Sequence, residues 1–169
     1  MDTVLMKNPI MQVVSRETPY GNRTVIDMPP AVMVVAIDDD QNVHFLEEYM
    51  APRNGFKPTF AKGAIDPGES PGEAARRELE EELGLKSDHM ELVLQVENQP
   101  SHSTARTYIF VAKRCHRLRN PVQGDETAGS IRHLTKPLEE LAAMRASYFS
   151  CARCRAAMAE LIVQFYVKL

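Results

Sequence analysis

The chain has 169 residues, 44% of them hydrophobic and 25% charged, with no tryptophan. That is enough to bury a core in one domain and too apolar for a disordered segment. No apolar run approaches the roughly 18 residues of a membrane span, and the opening MDTVLMKNPI lacks the apolar stretch of a signal peptide, so a cytoplasmic protein is expected.

The net charge of −3 is unevenly spread. Residues 66–91 hold nine acids and three bases, a local balance of −6, against +3 for the remainder. A concentrated acidic patch attracts divalent cations, and a mildly basic remainder suits a phosphate-bearing ligand. There is no long basic stripe interleaved with aromatics; Arg114, Arg117 and Arg119 form a small cluster at a strand end, so nucleic acid is not expected as a partner.

In chain order, 11–15 and 23–27 read as short strands joined by the turn Thr18-Pro19-Tyr20-Gly21-Asn22, and Pro29-Pro30 closes that unit. The run AVMVVAI at 31–37 predicts a buried strand. It turns through Asp38–Asn42, a solvated tip, into a second strand from Val43 to about Met50. Residues 51–55 are a loop, and 58–62 return as a short strand. Ser70-Pro71-Gly72-Glu73 is a helix start, with Ser as cap, Pro in the first position and Glu in the third. The helix is expected to run to Leu83, with Gly84 ending it and Ala74, Ala75, Leu79 and Leu83 as its apolar back. Strands follow at 92–96 and 108–112, and helices at 137–144 and 150–167. Strands in the first two-thirds with a central helix and closing helices predict an α+β fold, a mixed sheet between helices, in a single domain over 1–169.

Within the central helix, Glu78, Glu81 and Glu82 stand at i, i+3 and i+4, inside about 100° of arc. Like charges at these spacings destabilise a bare helix by a few tenths of a kcal/mol, so folding does not ask for them. Hard carboxylate oxygens in a cluster are what Mg²⁺ or Mn²⁺ takes as ligands. Arg77, about 100° from Glu78, is placed to orient carboxylates, and Glu80, about 200° away, faces solvent. Gly63 opens the preceding loop and admits close backbone approach.

The segment from 63 to 85 also matches a named pattern. Gly63, five residues, Glu69, seven residues, then Arg77-Glu78-Leu79-Glu80-Glu81-Glu82-Leu83-Gly84-Leu85 fills every specified position of GX5EX7REUXEEXGU. On this box the chain resembles the Nudix hydrolases. Beyond it the chain is similar to the ADP-compounds hydrolase and ADP-ribose pyrophosphatase group. Those likenesses lie in Glu48-Tyr49, the entry Phe60–Ser70, the loop Pro100–Arg106 and Gly124-Asp125-Glu126.

The resemblance implies the Nudix α/β/α sandwich and Mg²⁺- or Mn²⁺-dependent hydrolysis of a phosphoanhydride in an ADP-linked substrate, giving AMP and a phosphorylated remainder. It makes Glu78, Glu82 and Glu81 the metal ligands, with Glu69 supporting them directly or through Arg77. A carbonyl at Lys62, Gly63 or Ala64 is a further ligand. It makes Glu126 a catalytic base, with Glu81 or Glu78 on the box helix as the competing assignment. Arg106, Lys62 and Ser101 are implied in substrate binding, and a homodimer through N-terminal strands is implied. An RNA 5′-pyrophosphohydrolase, a nucleoside triphosphate sanitiser and a non-catalytic nucleotide sensor are the alternatives. Two positions depart from the pattern: Glu47 replaces an arginine, and Lys57-Pro58 replaces a glutamate–leucine. They read as a compensated swap or as a different substrate.

Cys115, Cys151 and Cys154 are odd in number, against a disulfide framework. Cys151-Ala-Arg-Cys154 has zinc or redox spacing. With no second pair, and only His116 beside Cys115 to complete a site, helix packing is the expectation.

Overall fold

The computed structural model describes residues 2–119, 130–144 and 148–164. Three N-terminal strands, β1 (Thr3–Lys7), β2 (Gln12–Arg16) and β3 (Arg23–Asp27), form a small antiparallel sheet. The main sheet begins with β4 (Ala31–Asp38) and β5 (Asn42–Met50), continues with β6 (Gly55–Thr59) and β7 (Ala61–Ala64), and after helix α1 (Pro71–Leu83) adds β8 (Leu85–Lys86), β9 (His89–Glu97), β10 (Arg106–Arg117) and β11 (Ile131–Pro137). Helices α2 (Leu138–Ala143) and α3 (Ala152–Ile162) close the described chain.

The apolar run of β4 is explained by burial on both faces. Val32, Val34 and Ala36 face α1, together with Leu46, Ala61, Ala74, Ala75, Leu79 and Leu83. Met33, Val35 and Ile37 face α3, with Phe45, Phe60, Phe149, Cys154, Met158 and Leu161. A strand covered on both sides loses the polar alternation of a half-exposed one. The sheet is mixed: β4 and β10 run parallel, from Thr107 opposite Ala31 to Ala112 opposite Ala36, and the other pairs are antiparallel. The expected α+β fold, a mixed sheet between helices, is what the structure contains. No helix among the described residues is long and apolar enough to cross a membrane.

One local topology differs from expectation and matters for the site. The sequence suggests a single return strand at 58–62, but the structure has two strands that meet at the buried Phe60. The hairpin strands β4 and β5 pair directly only at Ala36–His44 and Ile37–Val43. Beyond that they diverge, and the gap is filled by β6 on β5 and by β7 on β4. The crossing at Phe60 carries the chain from one lip of the split to the other and lays 61–64 beside the start of β4.

The tip at 38–42 is a turn. Gln41 has φ 61°, and the Asp38 carboxylate accepts from Asn42 and contacts His44 Nε2. The small sheet is tied to the 98–105 loop, where Ile26 N–H donates to His102 O and Thr104 Oγ1 donates to Asp27 Oδ1. α3 begins at Ala152 rather than Ser150. Cys151 therefore caps the helix and packs against the rim of the core, while Cys154 is buried in it.

Candidate active site

α1 starts where the sequence predicts. Ser70 Oγ accepts from Glu73 N–H at 3.3 Å, Glu73 Oε2 accepts from Ser70 N–H at 2.8 Å, and Pro71 occupies the first turn. Such a cap is worth about 1 kcal/mol. Gly84 ends the helix at φ 62°, a left-handed conformation that glycine takes without strain. The small residues Ala74 and Ala75 let the helix sit close on β4 and β7, and that proximity places the acidic face.

Glu78 is 6% exposed, and its carboxylate lies directly against Gly63. A Cβ at position 63 would stand 1.8 Å from Glu78 Oε1, so a side chain there would push the Glu78 carboxylate out of its place. Next to it, the Lys62 N–H donates to Glu82 Oε2 at 2.7 Å. The turn of β7 is thereby pinned to two box glutamates.

Arg77 is the hub. Nε and Nη2 donate to the two oxygens of Glu69, each at 3.0 Å. Nη1 donates to Glu78 Oε1 at 2.5 Å and to Glu81 Oε2 at 3.1 Å, and Nη2 also reaches Ala64 O at 2.9 Å. Arg77 thus contacts Glu69, Glu78 and Glu81 together, and Glu69 is linked to the helix face through it. The Arg77 bonds hold the Glu69 carboxyl below the usual range. Glu78 is displaced upward, first by burial and further by Glu81 and Glu69, with Arg77 only partly offsetting. One guanidinium is shared by three carboxylates, Glu69, Glu78 and Glu81. Among the described residues no three acidic, His or Cys side chains converge on one point as they stand, because the Arg77 Nη1 lies between Glu78 and Glu81. The donor set is hard oxygen on one helix face, with a buried carboxylate short of positive charge, and this chemistry fits a divalent cation.

The other expected residues are scattered. The Lys62 ammonium is ion-paired with Glu48. Arg106 Nη2 meets Glu97 Oε1 at 3.4 Å and lines a cavity of 430 Å³ beside Ile26, Met28, Asn98 and Arg153. That cavity includes Ala31, which pairs with Ala64 at the end of β7, and its other walls come from the 96–106 segment and the start of α3. Ser101 is exposed on the 98–105 turn and does not line this cavity. Arg153 was not singled out in the sequence; its only signal was a base in the first turn of the last helix. Glu126, with Gly124 and Asp125, lies outside the described residues. At the departing positions, Glu47 is held by Arg132 of β11 at 3.3 Å, and Arg132 lies 3.8 Å over the Phe56 ring. Glu47 therefore meets a base from β11, while Lys57 stands opposite Glu48 rather than Glu47.

Known proteins share both sequence and fold with this chain. The chain is 36% identical over 96 residues to the ADP compounds hydrolase NudE of Escherichia coli (strain K12), covering 57% of this chain and 50% of NudE. It is 26% identical over 113 residues to the ADP-ribose pyrophosphatase of Bacillus subtilis (strain 168), covering 65% of this chain and 61% of that one. The matched parts thus span about half to three-fifths of these relatives. A crystal structure of an ADP compounds hydrolase superposes with a TM-score of 0.78 at 27% identity, covering 99% of this chain and 95% of that one. Residues 27–151, most of the chain and all of the acidic site, match the profile of the NUDIX domain, and the chain belongs to the NUDIX domain family.

Proposed function

We propose that this chain is a pyrophosphohydrolase dependent on Mg²⁺ or Mn²⁺. Its substrates are ADP-linked small molecules such as ADP-ribose, NADH or diadenosine polyphosphates, and its products are AMP and a phosphorylated remainder. The observation that carries the reading is the acidic face of α1, clamped by Arg77 and pressed onto Gly63. In this reading Glu78, Glu81 and Glu82 hold the cation with a carbonyl near Gly63, and Glu69 fixes Arg77. Bound there, the cation would bridge phosphates and lower the pKa of a water. Arg77 gives up Nη1 from Glu78 and Glu81 and keeps Glu69 through Nε and Nη2. The guanidinium thus keeps the carboxylates gathered on one face before the cation arrives.

The cavity beside Ala31 supports a nucleotide end there, because Arg106 and Arg153 bring positive charge to its wall. Lys62 contributes once it exchanges Glu48 for phosphate, and Ser101 belongs to the loop that borders the same region. The base is Glu126, with Glu81 and Glu78 as competitors. The assembly is a homodimer through the N-terminal sheet, a reading supported by the exposed Val4, Leu5, Met6 and Ile10. The three free cysteines are in keeping with a reducing, cytoplasmic setting.

The test is AMP release from the three substrates with Mg²⁺ or Mn²⁺, with and without chelator. Cation-dependent AMP from at least one is expected, and no AMP from any of them overturns the reading. Glu126→Gln is expected to lower kcat strongly with little change in KM. If Asp125→Asn does this instead, the base is one residue earlier; if neither does, it lies on the box helix and Glu81 is the better choice.

A further inference from the structure

α3 opens with two thiols for which the hydrolysis has no use. Cys151 is the cap residue, partly exposed, and lines the cavity with Arg106 and Arg153. Cys154 is fully buried, with its sulfur 3.8 Å from Thr59 Oγ1. The Cys151 carbonyl accepts from Arg155 N–H at 3.0 Å, so the first turn of α3 that carries both cysteines is already formed at Cys151. Residues three apart across a first helical turn lie about 5 Å apart between Cα atoms, within the roughly 4.4–6.8 Å that a disulfide spans. One sulfur is open to the cavity, and its neighbour is shielded behind it.

We propose that Cys151 and Cys154 are an oxidisable thiol pair, with Cys151 the nucleophile toward a hydroperoxide in the cavity and Cys154 the residue that closes a reversible disulfide.

The surroundings favour a thiolate at Cys151. The Cys154 thiol, the N–H groups of Cys154 and Arg153 and the Arg153 guanidinium hold its pKa down against burial. Arg106 and Glu97, themselves in contact, are the charged groups on the opposite wall. The Cys151 thiolate attacks one peroxide oxygen, the O–O bond breaks, and the departing hydroxide takes a proton to leave as water. The Cys154 sulfur then attacks the Cys151 sulfur and the S–O bond breaks. The second hydroxide leaves as water with the Cys154 proton, and the S–S bond forms. Two thiols are oxidised by two electrons and one peroxide is reduced; a dithiol reverses the change. Cys115 supplies a contrast in the same chain: it is buried in the α1-side core, and burial pushes its pKa up to about 11.

The experiment uses the reduced full chain with hydrogen peroxide as probe and thiol mapping by mass spectrometry. Cys151 is expected to alkylate at least about tenfold faster than Cys115 at neutral pH, with an inflection below the roughly 8.5 of a free thiol. Peroxide is expected to yield a Cys151–Cys154 cross-linked peptide that dithiothreitol restores. Cys154→Ala should stop at a sulfenic acid on Cys151, trapped by dimedone. Cys151→Ser, at a partly exposed position that leaves the core intact, should leave Cys154 unmodified. Equal alkylation of Cys151 and Cys115, or peroxide treatment that gives no cross-link in the wild-type chain, overturns the proposal.

Discussion

The two faces of β4 are packed by different means. On the α1 face four alanines, Ala36, Ala61, Ala74 and Ala75, stand among valines and leucines, and the helix comes close enough for the Glu78 carboxylate to fill the space where residue 63 has no side chain. On the α3 face the partners are bulky. Phe45, Phe60 and Phe149 meet edge-on or tilted, with centroids 4.6 to 5.9 Å apart, around Met33 and Met158. One face uses proximity to set charges against backbone; the other uses volume to hold the sheet. Activity and stability should therefore respond separately to substitutions on the two sides.

The sharpest break falls on the α1 face. Glu82→Gln removes a charge and preserves shape, and is expected to lower kcat by about 10³ or more with the fold intact. Near wild-type turnover at saturating Mg²⁺ would remove the site assignment. The same variant should lose the rise in melting temperature that Mg²⁺ gives the wild type, a gain of about 2.7 kcal/mol at a hundredfold excess over Kd. On the other face, Phe149→Ala should cost about 3–5 kcal/mol in denaturant unfolding while the folded fraction keeps its kcat and Mg²⁺ response. A large fall in kcat there would show the faces to be coupled.

The smallest effect is in the pH dependence. Glu78 has a folded-state pKa above its unfolded value, so it costs stability as pH rises from the ordinary carboxylate range through that raised value. Glu69 has a lowered value; its contribution is present above the unfolded pKa and is lost as pH falls through the folded one. Unfolding curves of Glu78→Gln across pH 3–7 should lack the first slope and keep the second. An unchanged profile would place the buried charge elsewhere.

How much of this was legible follows from the kind of signal each part carries. β3, β4, β5 and α1 announce themselves by apolar runs, turn residues and a capping box, and the box glutamates by spacing. β1 did not, because its residues are all exposed and bury no periodic face. β11 carries Arg132, His133, Thr135 and Lys136, so only Ile131 and Leu134 hint at a buried side. The apolar signal of β10 stops at Ala112, yet the strand runs to Arg117 through a register shift, with Arg114 at φ 56° and the charged residues Lys113, Arg114 and Arg117 in place of an apolar alternation. At the site, Arg77 was legible as an organiser from helical geometry. Arg153 and the Lys62–Glu48 and Glu47–Arg132 pairs arise from segments brought together by the sheet, and no local pattern encodes them.

The Arg77 network has a further consequence for how the chain assembles. Its bonds join residues 8 apart to Glu69, 13 to Ala64 and 4 to Glu81, and the neighbouring Lys62–Glu82 bond spans 20. The register of β4 with β10, by contrast, joins Ala31 to Thr107. The entropy of closing a loop grows with its length, so the acidic cluster is bound by short closures and the sheet by long ones. The geometry for chemistry is thus encoded locally, in a stretch of about two dozen residues, and its internal order does not wait on the slowest pairing in the fold.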